Sequence, residues 1–108
     1  MPLPIHWTDP ALDDLESIFQ FIAHDAPAYA HQFVLAIMHA IDRLEDFPSS
    51  GRKVPEANND NVREVIFQGY RILYWIINNL RIDVIAVMHG SRDLGNRDNQ
   101  PWADDVTE

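Results

Sequence analysis

Arg63, Arg71, Tyr74, His89 and Arg92 fall within thirty residues of a chain that is otherwise poor in cations. Guanidinium groups neutralise and orient anions, a phenol donates or accepts a hydrogen bond, and a histidine exchanges protons near neutrality. The charge is unevenly spread. Residues 51–92 carry six Lys/Arg against four acids, residues 1–50 carry Arg43 alone against eight, and residues 93–108 carry Arg97 against five. A chain of net charge −9 that gathers its cations in one segment is suited to bind something anionic there, or to steer a partner. The acidic remainder argues against free nucleic acid, whose non-specific affinity comes from phosphate neutralisation. No sequence-specific DNA binding by the chain alone is therefore expected.

Other chemistries have less support. His24, His31 and His39 are seven or eight residues apart, two helical turns, too far for one metal site without ligands between them, so no metal is expected. The chain has no cysteine, which excludes a disulfide framework and fits a reducing cytoplasm. It has no glycine-rich dinucleotide motif and no phosphate loop, and no cofactor is implied. The start, MPLPIHWTDP, lacks the basic and apolar regions of a signal peptide, and the longest apolar run, 72–77, is far short of the ~20 residues that span a bilayer.

The elements that must hold these residues follow from periodicity. Residues 3–7 suit an edge strand. Thr8 and Asp9 offer N-cap oxygens, and Pro10 fits a first helical turn. Ala11, Leu15, Ile18, Phe19 and Ile22 recur at helical spacing, and Asp25-Ala26-Pro27 ends that helix and can cap the next. Ala30, Phe33, Val34, Ile37, Ile41 and Leu44 form a second stripe. So short a connection predicts antiparallel helices. Residues 49–61 read as a loop by composition. Residues 62–67 meet 70–77 across Gln68-Gly69, and the latter meet 80–88 across Asn78-Asn79. The order β-α-α-β-β-β predicts an α+β domain, a helical hairpin packed on a small antiparallel sheet over residues 1–94, with an acidic tail at 95–108.

The chain resembles the RelE/ParE family of toxins from type II toxin–antitoxin (plasmid stabilisation) modules, over about residues 5–94. The resemblance is carried by Trp7-Thr8, Ala11, Asp14-Leu15 and Ile18, then Gly51-Arg52, Val54-Pro55-Glu56 and Arg63-Glu64. It continues through Tyr70-Arg71-Ile72-Leu73-Tyr74 and Val87-Met88-His89, followed by Arg92-Asp93. It implies a growth-inhibiting toxin neutralised by a cognate antitoxin that wraps it. One branch of the family cleaves ribosome-bound mRNA, and the other poisons DNA gyrase.

For the nuclease branch, the resemblance implies Glu56 as base and Arg71 as phosphate ligand. His89 is the candidate acid, and Tyr74, Arg63 and Arg92 the assisting residues. His89 stands two positions short of where some nuclease relatives place their histidine. Two-residue turns put Arg63, Tyr74 and Asp83 in one row and Ile66, Arg71 and Ala86 in a row on the opposite face, where side chains cannot share a site. The ending Val87-Met88-His89 with Arg92-Asp93-Leu94 looks more like the gyrase branch, for which a binding surface suffices. Arg97 and Trp102 are residue types that interfaces favour. The sequence therefore favours a protein-binding toxin, with the mRNA endonuclease and a non-toxic antitoxin-binding relative as the alternatives.

Overall fold

The computed structural model describes residues 2–102, apart from the side chain of Arg97. β1 (Ile5–Trp7) leads into α1 (Asp9–Ala23) and α2 (Pro27–Asp42). Then come β2 (Arg52–Lys53), β3 (Val62–Phe67), β4 (Tyr70–Ile77) and β5 (Arg81–His89). Thr8 opens α1 as expected: its side-chain oxygen accepts the Ala11 N–H at 3.3 Å, and its hydroxyl donates to Val84 O at 2.8 Å. α2 differs from expectation. Ala26 is its N-cap and makes no side-chain bond, while Asp25 faces His24. Pro27, which has no N–H to satisfy, carries the start instead. Among the described residues, no helix is long and apolar enough to cross a membrane.

The sheet runs β1-β5-β4-β3-β2. It is mixed where an antiparallel sheet was expected: the helical hairpin carries the chain across so that β1 lies parallel to β5. β2 adds a two-residue strand inside the segment read as a loop. The helices bury Leu15, Phe33, Ile37 and Ile41 against Ile72, Ile82 and Val84 on one sheet face. On the other face Val54, Val62, Leu73 and Met88 are sealed by Leu94 and Trp102. Each such side chain contributes about 1.5–3 kcal/mol when fully buried. The sheet therefore has an apolar layer on both faces, the second supplied by loop and tail rather than by helices.

The first hairpin has the expected register, Arg63 opposite Tyr74 and Ile66 opposite Arg71. The second does not. Asn78 and Asn79 take positive φ, but the turn also absorbs Leu80, so that Ile77 pairs with Arg81. A bulge at Leu73/Tyr74 then leaves Ile85 as an extra residue. Tyr74 consequently faces Val84, not Asp83, and Arg71 faces Met88, not Ala86.

β1 stops opposite Val84, whereas β5 continues to His89, so the Val87 N–H meets no strand on that side. Asp14 on α1 fills the gap, its Oδ2 accepting that N–H at 2.9 Å. Burial pushes the Asp14 carboxyl above the ordinary aspartate range, opposed by the Val87 bond and the Arg92 charge. A carboxyl raised on folding favours the native state most when protonated, and that contribution falls as pH rises above about 4. Asp14→Asn keeps an acceptor for Val87 and removes the titration. Its stability relative to the parent should rise between pH 4 and 7 in urea titrations, and parallel pH profiles would show that Asp14 is not the responsible group.

Candidate functional site

Val62, Glu64 and Ile66 alternate onto the sheet face opposite the helices, placing an acid between two apolar positions. Glu64 is fully buried, and each of its carboxylate oxygens meets a different arginine. Arg52 lies directly opposite on β2, and its Nε donates to Oε2 at 2.5 Å. Arg71 lies diagonally across on β4, and its Nε donates to Oε1 at 2.5 Å. A second nitrogen of Arg71 lies 3.7 Å from Glu56, carried by the 3-10 turn Pro55–Ala57. Two guanidiniums thus face two carboxylates. Arg71 is only 7 % exposed. Breaking such a pair by removing one partner costs about 3–5 kcal/mol, because a buried charge is stranded.

Arg63 and Tyr74 project to the helix side and hold the loop at 48–51. Arg63 donates to Ser49 O at 3.1 Å and Gly51 O at 2.9 Å. The Tyr74 hydroxyl donates to Pro48 O at 2.6 Å and accepts the Gly51 N–H at 3.0 Å. Burial raises the Tyr74 phenol above its ordinary range, against the Gly51 bond and the Arg63 charge. Only glycine fits at 51, where a Cβ would stand 2.5 Å from the Tyr74 oxygen. Of the residues expected to assist, Tyr74 is wholly buried, and Arg63 bonds the same loop within the chain.

His89 pairs with Tyr70, packs edge-to-face on its ring at 5.7 Å and bonds the Ser91 hydroxyl at 2.7 Å. Tyr70 packs on Phe33 of α2, so His89 belongs to the helix side of the sheet. Glu56 and Arg71 come together, and His89 stands apart from them. Arg92 is exposed beyond the end of β5. Arg97 starts a 3-10 turn, its side chain lying outside the described residues. Trp102, expected as a partner contact, is 9 % exposed in the second core, where Gln100 donates to Leu94 O at 2.8 Å beside it.

Among the described residues, grooves open on both the helical hairpin and the sheet edge. One of about 380 Å³ runs along the helical hairpin, lined by Leu12, Phe19, Val34 and Met38 with Glu16 at its rim. Another, of about 350 Å³, lies at the β3 edge and is lined in part by Arg43, Arg52, Glu64 and Ile66. Sequence reading offers Glu64 as a pairing partner for Arg71 but not as the centre of the site, and it leaves Arg52 out. The available signal was the Val62-Glu64-Ile66 alternation, which puts an acid on an apolar row.

Residues 5–94 match the family model described as ParE toxin of type II toxin-antitoxin system, parDE. Toxin RelE2 of Caulobacter vibrioides is 30 % identical over 87 residues, covering 80 % of this chain and 93 % of that protein. Putative toxin Y4kP of Sinorhizobium fredii is 33 % identical, covering 79 % and 85 %. Among solved structures, the chromosomal ParDE system of P. aeruginosa superposes with a TM-score of 0.68 at 18 % identity, over 81 % of this chain and 95 % of that one. The RelBE2 toxin–antitoxin complex of Mycobacterium tuberculosis gives 0.57 at 20 %, over 82 % and 99 %. A mutant of E. coli toxin RelE in the free state gives 0.63 at 13 %, over 99 % and 97 %. At these identities the structures speak for the fold.

Tyr74→Phe removes both loop bonds while preserving the ring. The Gly51 N–H and Pro48 carbonyl are then left unpaired, for an expected loss of about 1–3 kcal/mol in urea unfolding. Amide exchange at residues 49–51 should accelerate beyond the change in global stability, and unchanged local exchange would disprove the clamp.

Proposed function

Because the chain belongs to the ParE/RelE family of toxins of type II toxin–antitoxin systems, we propose that it arrests growth in the bacterial cytoplasm by binding a protein target. The resemblance of its ending to the gyrase-poisoning branch makes DNA gyrase the target of choice. One observation carries the preference: Arg71, the residue a nuclease needs for phosphate, is buried and neutralised by Glu64. His89 on the far side of the sheet supports the same reading, as does the acidic body. A binding toxin needs no general base. Exposed Arg92 is the cation we assign to target contact, with Arg97 beside it in sequence.

The second reading, a ribosome-dependent mRNA endonuclease, draws on the proximity of Glu56 and Arg71. The third is a non-toxic antitoxin-binding relative. Induced expression without antitoxin separates them, with growth, DNA breaks and mRNA 5′ ends scored together. The expected outcome is arrest with DNA breaks and intact messages. New codon-phased mRNA ends would transfer the function to Glu56 and Arg71. Absence of arrest at verified soluble expression would leave only antitoxin binding.

We place the cognate antitoxin on the helical hairpin. Its groove is apolar, with Leu12 45 % exposed, and residues 1–50 carry eight acids against one arginine. The complementary segment is an amphipathic one rich in Lys and Arg. Met38→Asp should weaken the complex at least about tenfold, as loss of a central contact does. Replacing the antitoxin's cations should lower its affinity and flatten its salt dependence. Unchanged affinity in both titrations would move the interface elsewhere.

A further inference from the structure

Glu64 sits between two arginines as an oxyanion ligand sits between two guanidinium forks. Its oxygens lie on opposite sides of one carboxylate, each receiving an Nε–H, one from an edge strand and one from a central strand. The arginines differ in access. Arg71 is enclosed, whereas the Arg52 side chain is 66 % exposed and lines the β3-edge groove with Arg43. Without the Glu64 carboxylate, Arg52 and Arg71 would face a common space with Glu56 as the remaining acid, 3.7 Å from Arg71. Paired arginines around a vacated oxyanion position match phosphate in charge and in the donors they offer.

We propose that Glu64 is a built-in occupant of a phosphate-type oxyanion site, and that its side chain is what keeps this sheet face from binding phosphate groups. The assignment rests on the protein-target reading, and it names the residue that holds the chain to it. Truncation of the side chain at 64 opens the site to a tetrahedral oxyanion, either free phosphate or the phosphodiester of an RNA strand, whereas glutamine fills the same volume without the charge. No bond is made or broken; one anion replaces another between the same two cations.

The test compares the parent chain, Glu64→Gln and Glu64→Ala in inorganic phosphate against chloride at matched ionic strength. Thermal unfolding and the binding of a short RNA oligonucleotide are the two readouts. The parent should show no phosphate-specific shift. Glu64→Ala should gain a phosphate-dependent rise in unfolding midpoint on the order of 5 °C and bind the oligonucleotide at least about tenfold more tightly, and Glu64→Gln, with the position still filled, should gain neither. Both gains should vanish when Arg71→Met is added. A phosphate response without RNA binding would restrict the site to free phosphate. Glu64→Ala unfolded in chloride should refold in phosphate. A parent response equal to that of Glu64→Ala would overturn the assignment, as would the failure of phosphate to stabilise or refold Glu64→Ala. These readouts need no cellular target, so mRNA cleavage by the parent would sink the protein-target reading while leaving this comparison to be decided on its own.

Discussion

A carboxylate held out of water in the middle of a sheet face has to be matched by charge from its surroundings, and Glu64 draws three elements together for that reason. Arg52 anchors the two-residue β2 to β3, Arg71 ties β4 to the same point, and Arg71 in turn reaches the Glu56 turn. β2 is too short to be secured by its ladder alone, with only two paired positions. The ion network supplies what the ladder lacks. The same network removes Arg71 from solvent, so a stabilising arrangement also limits what this face can bind.

Strand pleating divides the remaining chemistry. Arg63, Tyr74 and His89 project toward the helices, and Glu56, Glu64 and Arg71 toward the tail. On the helix side, the Arg63–Tyr74 clamp keeps the chain close as it leaves the hairpin, using Gly51 for an approach no other residue permits. On the opposite side Leu94 and Trp102 complete a second core. Residues that lie together along the chain therefore serve two separate tasks in space.

The helical hairpin has a different character. Its inner stripe makes the main core, and its outer groove keeps apolar side chains at the surface of a strongly acidic element. Such a surface suits a cationic amphipathic partner more than a nucleic acid. The hairpin is joined to the sheet by polar contacts as well as packing. Thr8 bonds Val84 and Asp14 bonds Val87, so α1 takes over the edge of β5 where β1 ends.

Much of this was legible in the chain itself. Helical stripes in 11–22 and 30–44, the Thr8 cap, the Gln68-Gly69 hairpin with its register, and the opposition of Arg63 to Arg71 follow from local periodicity and turn chemistry. Local rules act over a few residues, so they hold wherever neighbours in sequence decide the conformation. The three-residue turn at Asn78-Asn79-Leu80 and the bulge at Ile85 escaped them, because several turn lengths suit the same residues and packing chooses among them. The reach of Arg52 to Glu64 and of Glu56 to Arg71, the burial of Tyr74 and the sheet face that Trp102 covers escaped them as well. Whether a charge is free or neutralised depends on what arrives from distant segments: Arg52 from the loop, Glu56 from its turn, the tail over Leu73 and Met88. Residue types and their rows were set by the sequence; which of those residues still meet solvent was decided only when the two faces of the sheet were covered.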